Sequence, residues 1–180
     1  VPQTTATSWD GGDAIYAQLM LAPPLAADVT PQPREVVFII DTSGSMEGGS
    51  LQQARAALLS GLQLLGPDDR FNIVQFNSVS EALFSTSVPV DAAEIRQATQ
   101  YLGRLKANGG TNVAPAWQMA LVQPAFPGLV RQVIFITDGS VGNESELLRY
   151  IGDLLDTSRL FTVSIGSAPN SWFMQKAAEI

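Results

Sequence analysis

Val36-Val37-Phe38-Ile39-Ile40-Asp41-Thr42-Ser43-Gly44-Ser45 decides how this chain is read. Five apolar residues, all β-branched or aromatic, make a strand with no polar face, which is the pattern of a strand covered on both sides. The run then breaks into one carboxylate and two hydroxyls at alternate positions. In a tight loop leaving a strand, alternate residues can project to one side, so Asp41, Ser43 and Ser45 can offer three oxygens to one point. Gly44 lets the backbone turn between the serines without steric cost. Further on, Thr111 follows Gly109-Gly110, and Asp138, followed by Gly139, ends another apolar run from Val133 to Ile136. Two strand-end carboxylates and three hydroxyls form an oxygen-only donor set, which suits a small hard divalent cation.

Strands and helices alternate outward from that stretch. The spacing predicts strands at about 35–40, 71–76, 132–136 and 160–165, with a short strand at 81–84 or 81–88 hairpin-linked to the second. A helix is expected from about Ser50 to Leu65, with Leu51, Ala54, Leu58, Leu62 and Leu65 on one stripe and Gly66-Pro67 as its stop. Asp91 with Glu94 reads as a capping box, and Ile95, Ala98, Leu102 and Leu105 form the stripe behind it. A shorter helix is expected at roughly 113–122. Another begins near Asn143 and Glu146, carrying Leu147, Leu148, Ile151, Leu154 and Leu155. Ser171 opens a last helix that runs to the end of the chain. Runs 36–40, 133–136 and 160–165 read as strands buried on both faces, so the fold class is α/β, a doubly wound, mostly parallel sheet with helices on both faces. Ligands of such sheets sit beyond the carboxyl ends of the strands, where Asp41 and Asp138 fall. The first 33 residues stand apart. Residues 1–10 are polar and read as loose, 13–21 as one strand ended by Pro23-Pro24, and 25–34 as an extended linker. Val1-Pro2-Gln3 looks like an internal cut rather than a secretory start.

Composition narrows the function. The chain has 180 residues, 46% of them hydrophobic, enough for one domain with a real core. Its net charge of −7 makes nucleic acid an unfavourable partner and favours cations. No apolar run approaches the ~20 residues that span a bilayer. There is no His and no Cys. That removes the commonest general base, thiolate catalysis, disulfides and a Ser-His-Asp triad.

Asp-Thr-Ser-Gly-Ser and Thr-Asp-Gly are each also common cap and turn vocabulary. Their joint occurrence at strand ends, with Gly-Gly-Thr between them, favours a cation. Neutral hydroxyls crowd little around an ion such as Mg²⁺, and few direct charges leave the metal net positive. One position then remains for water or for a partner's carboxylate. Among the other residues, Glu47 and Asn112 read as solvated loop positions and Met46 as loop packing. Asp68-Asp69 reads as a turn before a strand, and Trp117 and Trp172 as packed rather than ligand-contacting. Trp9 reads as packing on a sheet edge or on a preceding domain.

Phe38-Ile39-Ile40-Asp41-Thr42-Ser43-Gly44-Ser45-Met46, Gly109-Gly110-Thr111 and Phe135-Ile136-Thr137-Asp138-Gly139 resemble the von Willebrand factor type A domain over about Arg34 to Ile180. They fill every position of its metal-ion-dependent adhesion site pattern: Asp-x-Ser-x-Ser, a Thr and an Asp. Asp69-Arg70-Phe71-Asn72, Phe76-Asn77-Ser78 and the Phe161-to-Ser167 run followed by Ala168-Pro169-Asn170 are similar to inter-alpha-trypsin-inhibitor heavy-chain-like proteins, nearest their bacterial, sortase-anchored surface members. The resemblance implies a Rossmann-like sheet and a site holding Mg²⁺, Mn²⁺ or Ca²⁺. Ser43, Ser45 and Thr111 would be hydroxyl ligands, and Asp41 and Asp138 would ligate directly or through water. It further implies a non-catalytic adhesion module at the cell surface or outside the cell, a partner supplying an acidic group, and a preceding inter-alpha-trypsin domain joined through residues 1–33. The family's fold usually continues with another strand and helix, so a C-terminally truncated sheet is expected, with strand 13–21 available to cover an edge. Two other functions compete. A metal-dependent hydrolase or phosphoryl-transfer enzyme lacks a second Asp two residues after Asp41, a nearby Lys and a phosphate-binding Gly-Lys loop. A stalk domain with a vestigial site is opposed by the intact ligand pattern.

Overall fold

The computed structural model describes residues 3–22, 32–122, 125–166 and 169–180. Pro23-Pro24, most of the linker expected at 25–34, and Ser167-Ala168 lie outside them. The chain forms two compact units, residues 1–32 and 33–180.

The first unit is a hairpin of β1 (Gln3–Asp10) and β2 (Ile15–Ala22), paired antiparallel with Asp10 opposite Ile15. The Asp10 carboxylate accepts from the Gly12 amide at 2.8 Å, and Trp9 stacks on its cross-strand partner Tyr16 with ring centroids 5.5 Å apart. Residues 3–10 are therefore a strand and not loose. Their Thr-rich run is polar, but Thr and Trp are strand formers, and polarity alone misread them. Strand 13–21 starts later, at Ile15, and its partner is β1 in a two-stranded sheet of its own rather than an edge of the larger sheet.

The second unit holds β3 (Arg34–Asp41), α1 (Gly49–Gln63), β4 (Arg70–Phe76), β5 (Ser80–Ala82), β6 (Val88–Pro89) and α2 (Ala92–Arg104). It continues with α3 (Ala114–Leu121), β7 (Val130–Thr137), α4 (Glu144–Leu155), β8 (Arg159–Ser164) and α5 (Ser171–Ala178). The sheet order is β5-β4-β3-β7-β8, with β6 also on β4. β4, β3, β7 and β8 run parallel, while β5 and β6 pair with β4 antiparallel. The expected single antiparallel strand is thus two short pieces on one neighbour. Alternate residues of β3 feed two cores. Val37 and Ile39 pack with α3, α4 and α5 around Trp117, Phe135 and Phe173, whereas Val36, Phe38 and Ile40 pack with α1 and α2 around Leu58 and Leu102. This is the doubly wound, mostly parallel α/β arrangement with helices on both faces.

Four local expectations need correction. β8 is not buried on both faces: Leu160 is buried but Phe161 is exposed, because β8 ends the strand order and, among the described residues, has a strand neighbour on one side only. Asp91 does cap α2, but it accepts from Ala93 rather than Glu94, and no reciprocal bond from Glu94 closes the box. Asn143 precedes α4 in the left-handed region at φ 54° and its side chain makes no cap. Trp172 is 54% exposed, whereas Trp117 is fully buried. α5 ends at Ala178 and is capped by Asn170, whose side chain accepts from Phe173.

At the amino-terminal end of the strands lies a buried ion pair. Glu35 and Arg131 face each other across β3 and β7, with Arg131 Nε 2.9 Å from Glu35 Oε2. The Ser87 hydroxyl donates to Glu35 Oε1 at 2.7 Å.

Candidate functional site

Asp41 is the last residue of β3 and is fully buried, at the carboxyl edge of the sheet. Both its oxygens are engaged. Oδ1 accepts from the Ser43 amide at 2.8 Å, and Oδ2 accepts from the Thr137 hydroxyl at 2.6 Å. The first bond folds the chain back into the loop that presents Ser43 and Ser45. Their hydroxyls lie 3.1 Å apart, so the two side chains do point to one place. A single 3-10 turn, Gly44–Met46, carries the chain on, with Met46 buried in the core beneath it.

The Gly-Gly-Thr segment reaches this loop through its backbone. The Gly44 amide donates to the Gly109 carbonyl at 3.0 Å, and the Asn108 amide to the Thr42 carbonyl at 2.9 Å. This approach explains both glycines. A Cβ on Gly44 would meet the Gly109 oxygen at 3.3 Å, and Gly109 takes φ +72°, which side-chain-bearing residues rarely adopt. Thr111 is half-buried and lines a cleft of ≈ 640 Å³ between the start of α3 and α4, together with Val113, Glu146, Leu147, Tyr150 and Asp153.

Asp138 follows β7, the strand next to β3. Its Oδ1 accepts from the Ser140 amide at 2.9 Å, and its carbonyl accepts from the Asn170 amide at 3.1 Å. Gly139 takes φ +80° and runs against Asn170, where a Cβ would come within 2.7 Å of the Asn170 Cβ. The Asp138 charge is close enough to act on Asp41. Burial pushes the Asp41 carboxyl above its ordinary value. Hydrogen bonds from Ser43 and Thr137 oppose that rise, and the neighbouring Asp138 adds to it. Among the described residues the ion pairs are Arg34 with Asp69, Arg131 with Glu35 and Lys176 with Glu179, so no side-chain cation offsets Asp41 or Asp138.

The five sequence candidates therefore fall at one edge of the sheet. Asp41, Ser43 and Ser45 share a loop, the Thr111 segment is bonded to that loop, and Asp138 follows the adjacent strand. Among the described residues no three His, Cys, Asp or Glu side chains cluster as a metal group. Only two of these five candidates are carboxylates. As a donor set, buried carboxylate oxygen with neutral hydroxyls and no competing cation fits a hard divalent ion. Glu47 and Asn112 are exposed, as expected of solvated loop positions. Sequence reasoning missed Thr137, which holds Asp41, and Thr42, whose hydroxyl lies 2.9 Å from both Gln75 Oε1 and the Phe76 carbonyl. The register could have found Thr137. It follows Ile136, which lies opposite Ile40, as Asp41 follows Ile40, but that pairing is unknown before the fold.

A profile of the von Willebrand factor type A domain matches residues 34–180. The chain belongs to that family. Members are typically adhesion or protein-interaction modules. A von Willebrand factor A domain-containing protein of Dictyostelium discoideum is 36% identical over 141 residues, covering 78% of this chain and 15% of that protein. Inter-alpha-trypsin inhibitor heavy chain H4 of Sus scrofa is 35% identical over 159 residues, covering 81% of this chain and 17% of its own length. The chain thus spans less than a fifth of these curated relatives. Among solved structures, a von Willebrand factor type A protein from Catenulispora acidiphila superposes with TM-score 0.72 at 22% identity, over 92% of this chain and 39% of that one. The manganese-loaded TRAP protein of Plasmodium vivax superposes with TM-score 0.66 at 17% identity, over 99% of this chain and 66% of that one. At these identities the likeness is one of fold. Other neighbours are a thread matrix protein of the mussel byssus and a type V pili tip protein of Porphyromonas gingivalis. No described helix is long and apolar enough to cross a membrane.

Proposed function

We propose that this domain is a non-catalytic adhesion or protein-binding module that grips an acidic group of its partner through a divalent cation. Asp41, Ser43, Ser45, Thr111 and Asp138 would hold the ion, with Mg²⁺ the expected cation and Mn²⁺ and Ca²⁺ its alternatives. The observation that carries this reading is the pair Asp41 and Asp138, one fully buried, with no side-chain cation opposite them among the described residues. Buried charge is ordinarily paired or bound to metal. Hydroxyls supply the remaining donors without adding negative charge, so the ion keeps an appetite for one more carboxylate. A protein or matrix ligand offering Asp or Glu completes it, and the adjoining cleft at Thr111 gives that ligand room to lie against α3 and α4.

No His or Cys is present to act as base or nucleophile, which supports a binding role over hydrolysis or phosphoryl transfer. The kinship with an inter-alpha-trypsin inhibitor heavy chain, and fold neighbours from byssus matrix and pili, support a place outside the cell or at its surface. A preceding domain joined through residues 1–33 belongs to the same reading. The test is calorimetric titration of the EDTA-stripped protein with Mg²⁺, Mn²⁺ and Ca²⁺ beside Asp41→Ala. One-site binding lost in the variant is the expected result. A folded wild type that binds none of the three ions refutes the mechanism and leaves the stalk reading.

A further inference from the structure

One turn beside the site carries none of the five candidate ligands, yet it is bonded to two of the three segments that do. Residues 77–79 join β4 to β5, and the turn is closed on itself. The Asn77 amide donates to the Val79 carbonyl at 2.9 Å, and the Val79 amide donates to Asn77 Oδ1 at 3.1 Å. From this closed turn three groups reach outward and make four bonds. Asn77 Nδ2 donates to Asn108 Oδ1 at 2.8 Å and lies 3.3 Å from the Thr42 hydroxyl. The Asn77 carbonyl accepts from the Asn112 amide at 2.7 Å, and the Ser78 hydroxyl accepts from the Gly110 amide at 2.8 Å.

Two of these bonds fall on the residues immediately before and after Thr111. The Gly110 amide is held by Ser78 and the Asn112 amide by Asn77. The third and fourth bonds tie Asn108, at the root of the same segment, to Thr42, which sits inside the Asp41–Ser45 loop. Gly109 completes the fit, since a Cβ there would stand 2.7 Å from the Ser78 oxygen. A glycine at 109 is therefore what lets Ser78 come close enough to bond residue 110.

We propose that the Asn77-Ser78 turn is a positioning element of the cation site, holding Thr111 from both sides and setting its distance from the Asp41–Ser45 loop. This rests on the cation reading of the site given above. Ligand geometry matters because a small hard cation tolerates little departure from near-ideal octahedral placement. Residues that orient ligands without touching the metal change affinity by roughly 10–100-fold when removed.

Ser78 is the sharper probe, because its side chain is exposed and its removal opens no cavity. Three proteins are compared: wild type, Ser78→Ala and Ser78→Thr. Each is titrated with Mn²⁺ by electron paramagnetic resonance, and amide exchange of Gly110 and Asn112 is measured in EDTA. Ser78→Ala is expected to bind Mn²⁺ about 10-fold more weakly, to exchange the Gly110 amide faster, and to keep the wild-type unfolding midpoint in EDTA. Ser78→Thr, which retains the hydroxyl, restores the affinity. Unchanged Mn²⁺ affinity in Ser78→Ala, or Gly110 exchange no faster than wild type, overturns the proposal while leaving the cation reading in place. Failure of the wild type itself to bind Mn²⁺ overturns the cation reading, and the proposal falls with it.

Discussion

Replacing Thr137 by Val tests how the fully buried Asp41 is held. The Thr137 hydroxyl is itself fully buried and serves two partners, donating to Asp41 Oδ2 at 2.6 Å and accepting from the Gly139 amide at 3.0 Å. Valine keeps the shape and strands both. A buried polar group left without its partner costs about 1–3 kcal/mol, more where it is charged. Asp41 keeps the Ser43 amide on its other oxygen, so the two losses together come to about 2–4 kcal/mol. For a unit of this size each kcal/mol moves the melting midpoint by roughly 2–4 °C, giving a fall of roughly 5–15 °C in EDTA. Thr137→Ser is the control, because it keeps the hydroxyl and loses only a methyl, about 1 kcal/mol. The same bond orients a proposed metal ligand, so Thr137→Val should also weaken Mg²⁺ binding by roughly 10–100-fold. At saturating Mg²⁺ the gap from wild type then widens by a further ~1.4–2.7 kcal/mol. Calorimetric melts of the three proteins, with and without Mg²⁺, read all of this. A Thr137→Val variant within about 0.5 kcal/mol of wild type in EDTA would show that Asp41 does not depend on this bond, and the account of the buried carboxylate would be wrong.

Two further predictions concern the other end of the sheet. Arg131→Met leaves Glu35 charged and buried, and it should cost about 3–5 kcal/mol in urea unfolding, while the double variant with Glu35→Leu should recover much of that loss. A single variant that melts like wild type rejects the pair as a structural element. Asp69 resists charging through burial, but bonds from Arg34 and from the Gly66 and Arg34 amides outweigh that and hold its carboxyl below the ordinary value. A depressed carboxyl stabilises the fold above its unfolded value near 3.9 and loses that contribution as pH falls through the folded value. Asp69→Asn should therefore be less stable than wild type by a constant margin from about pH 5 to 7, with the margin shrinking below about pH 4. A margin that grows on acidification contradicts the assignment.

Much of the fold was legible because β3 and β7 announce themselves. Their runs are apolar without alternation, the pattern of a strand with helices over both faces. The same reasoning failed at β8, whose sequence Leu160-Phe161-Thr162-Val163 reads much like a central strand. Apolar content reports what a residue tolerates. Whether a neighbouring strand covers it is decided by topology, and here Phe161 stays exposed at the end of the strand order. The hairpin of residues 3–22 failed in the opposite sense. Its first strand looks like a polar tail until Trp9 is seen stacked on Tyr16 across the pair. Capping signals were legible as positions and not as geometries. Asp91 and Asn143 both mark the residue before a helix, yet only Asp91 caps with its side chain.

The five candidate ligands were readable because each sits at a break in local pattern, a polar residue where an apolar run ends or a Thr behind paired glycines. The residues that hold them were unreadable for a physical reason. Thr137, Asn77 and Ser78 act by hydrogen bonds to residues 96, 31 to 35 and 32 positions away. Such bonds exist only once β3 lies between β4 and β7, and no spacing within one segment encodes them. The parallel order β4-β3-β7 does more than collect carboxylates at one edge. It also places the β4–β5 turn on one side of the Asp41 loop and Thr137 on the other. A loop gripped from both flanking strands can keep its buried carboxylate and the paired Ser43 and Ser45 hydroxyls in place before any cation arrives. If that is so, the order of loss is set by the sheet. Removing Thr137 should disturb Asp41 first, and removing Ser78 should disturb Thr111 first, although both candidates lie at one edge of the sheet.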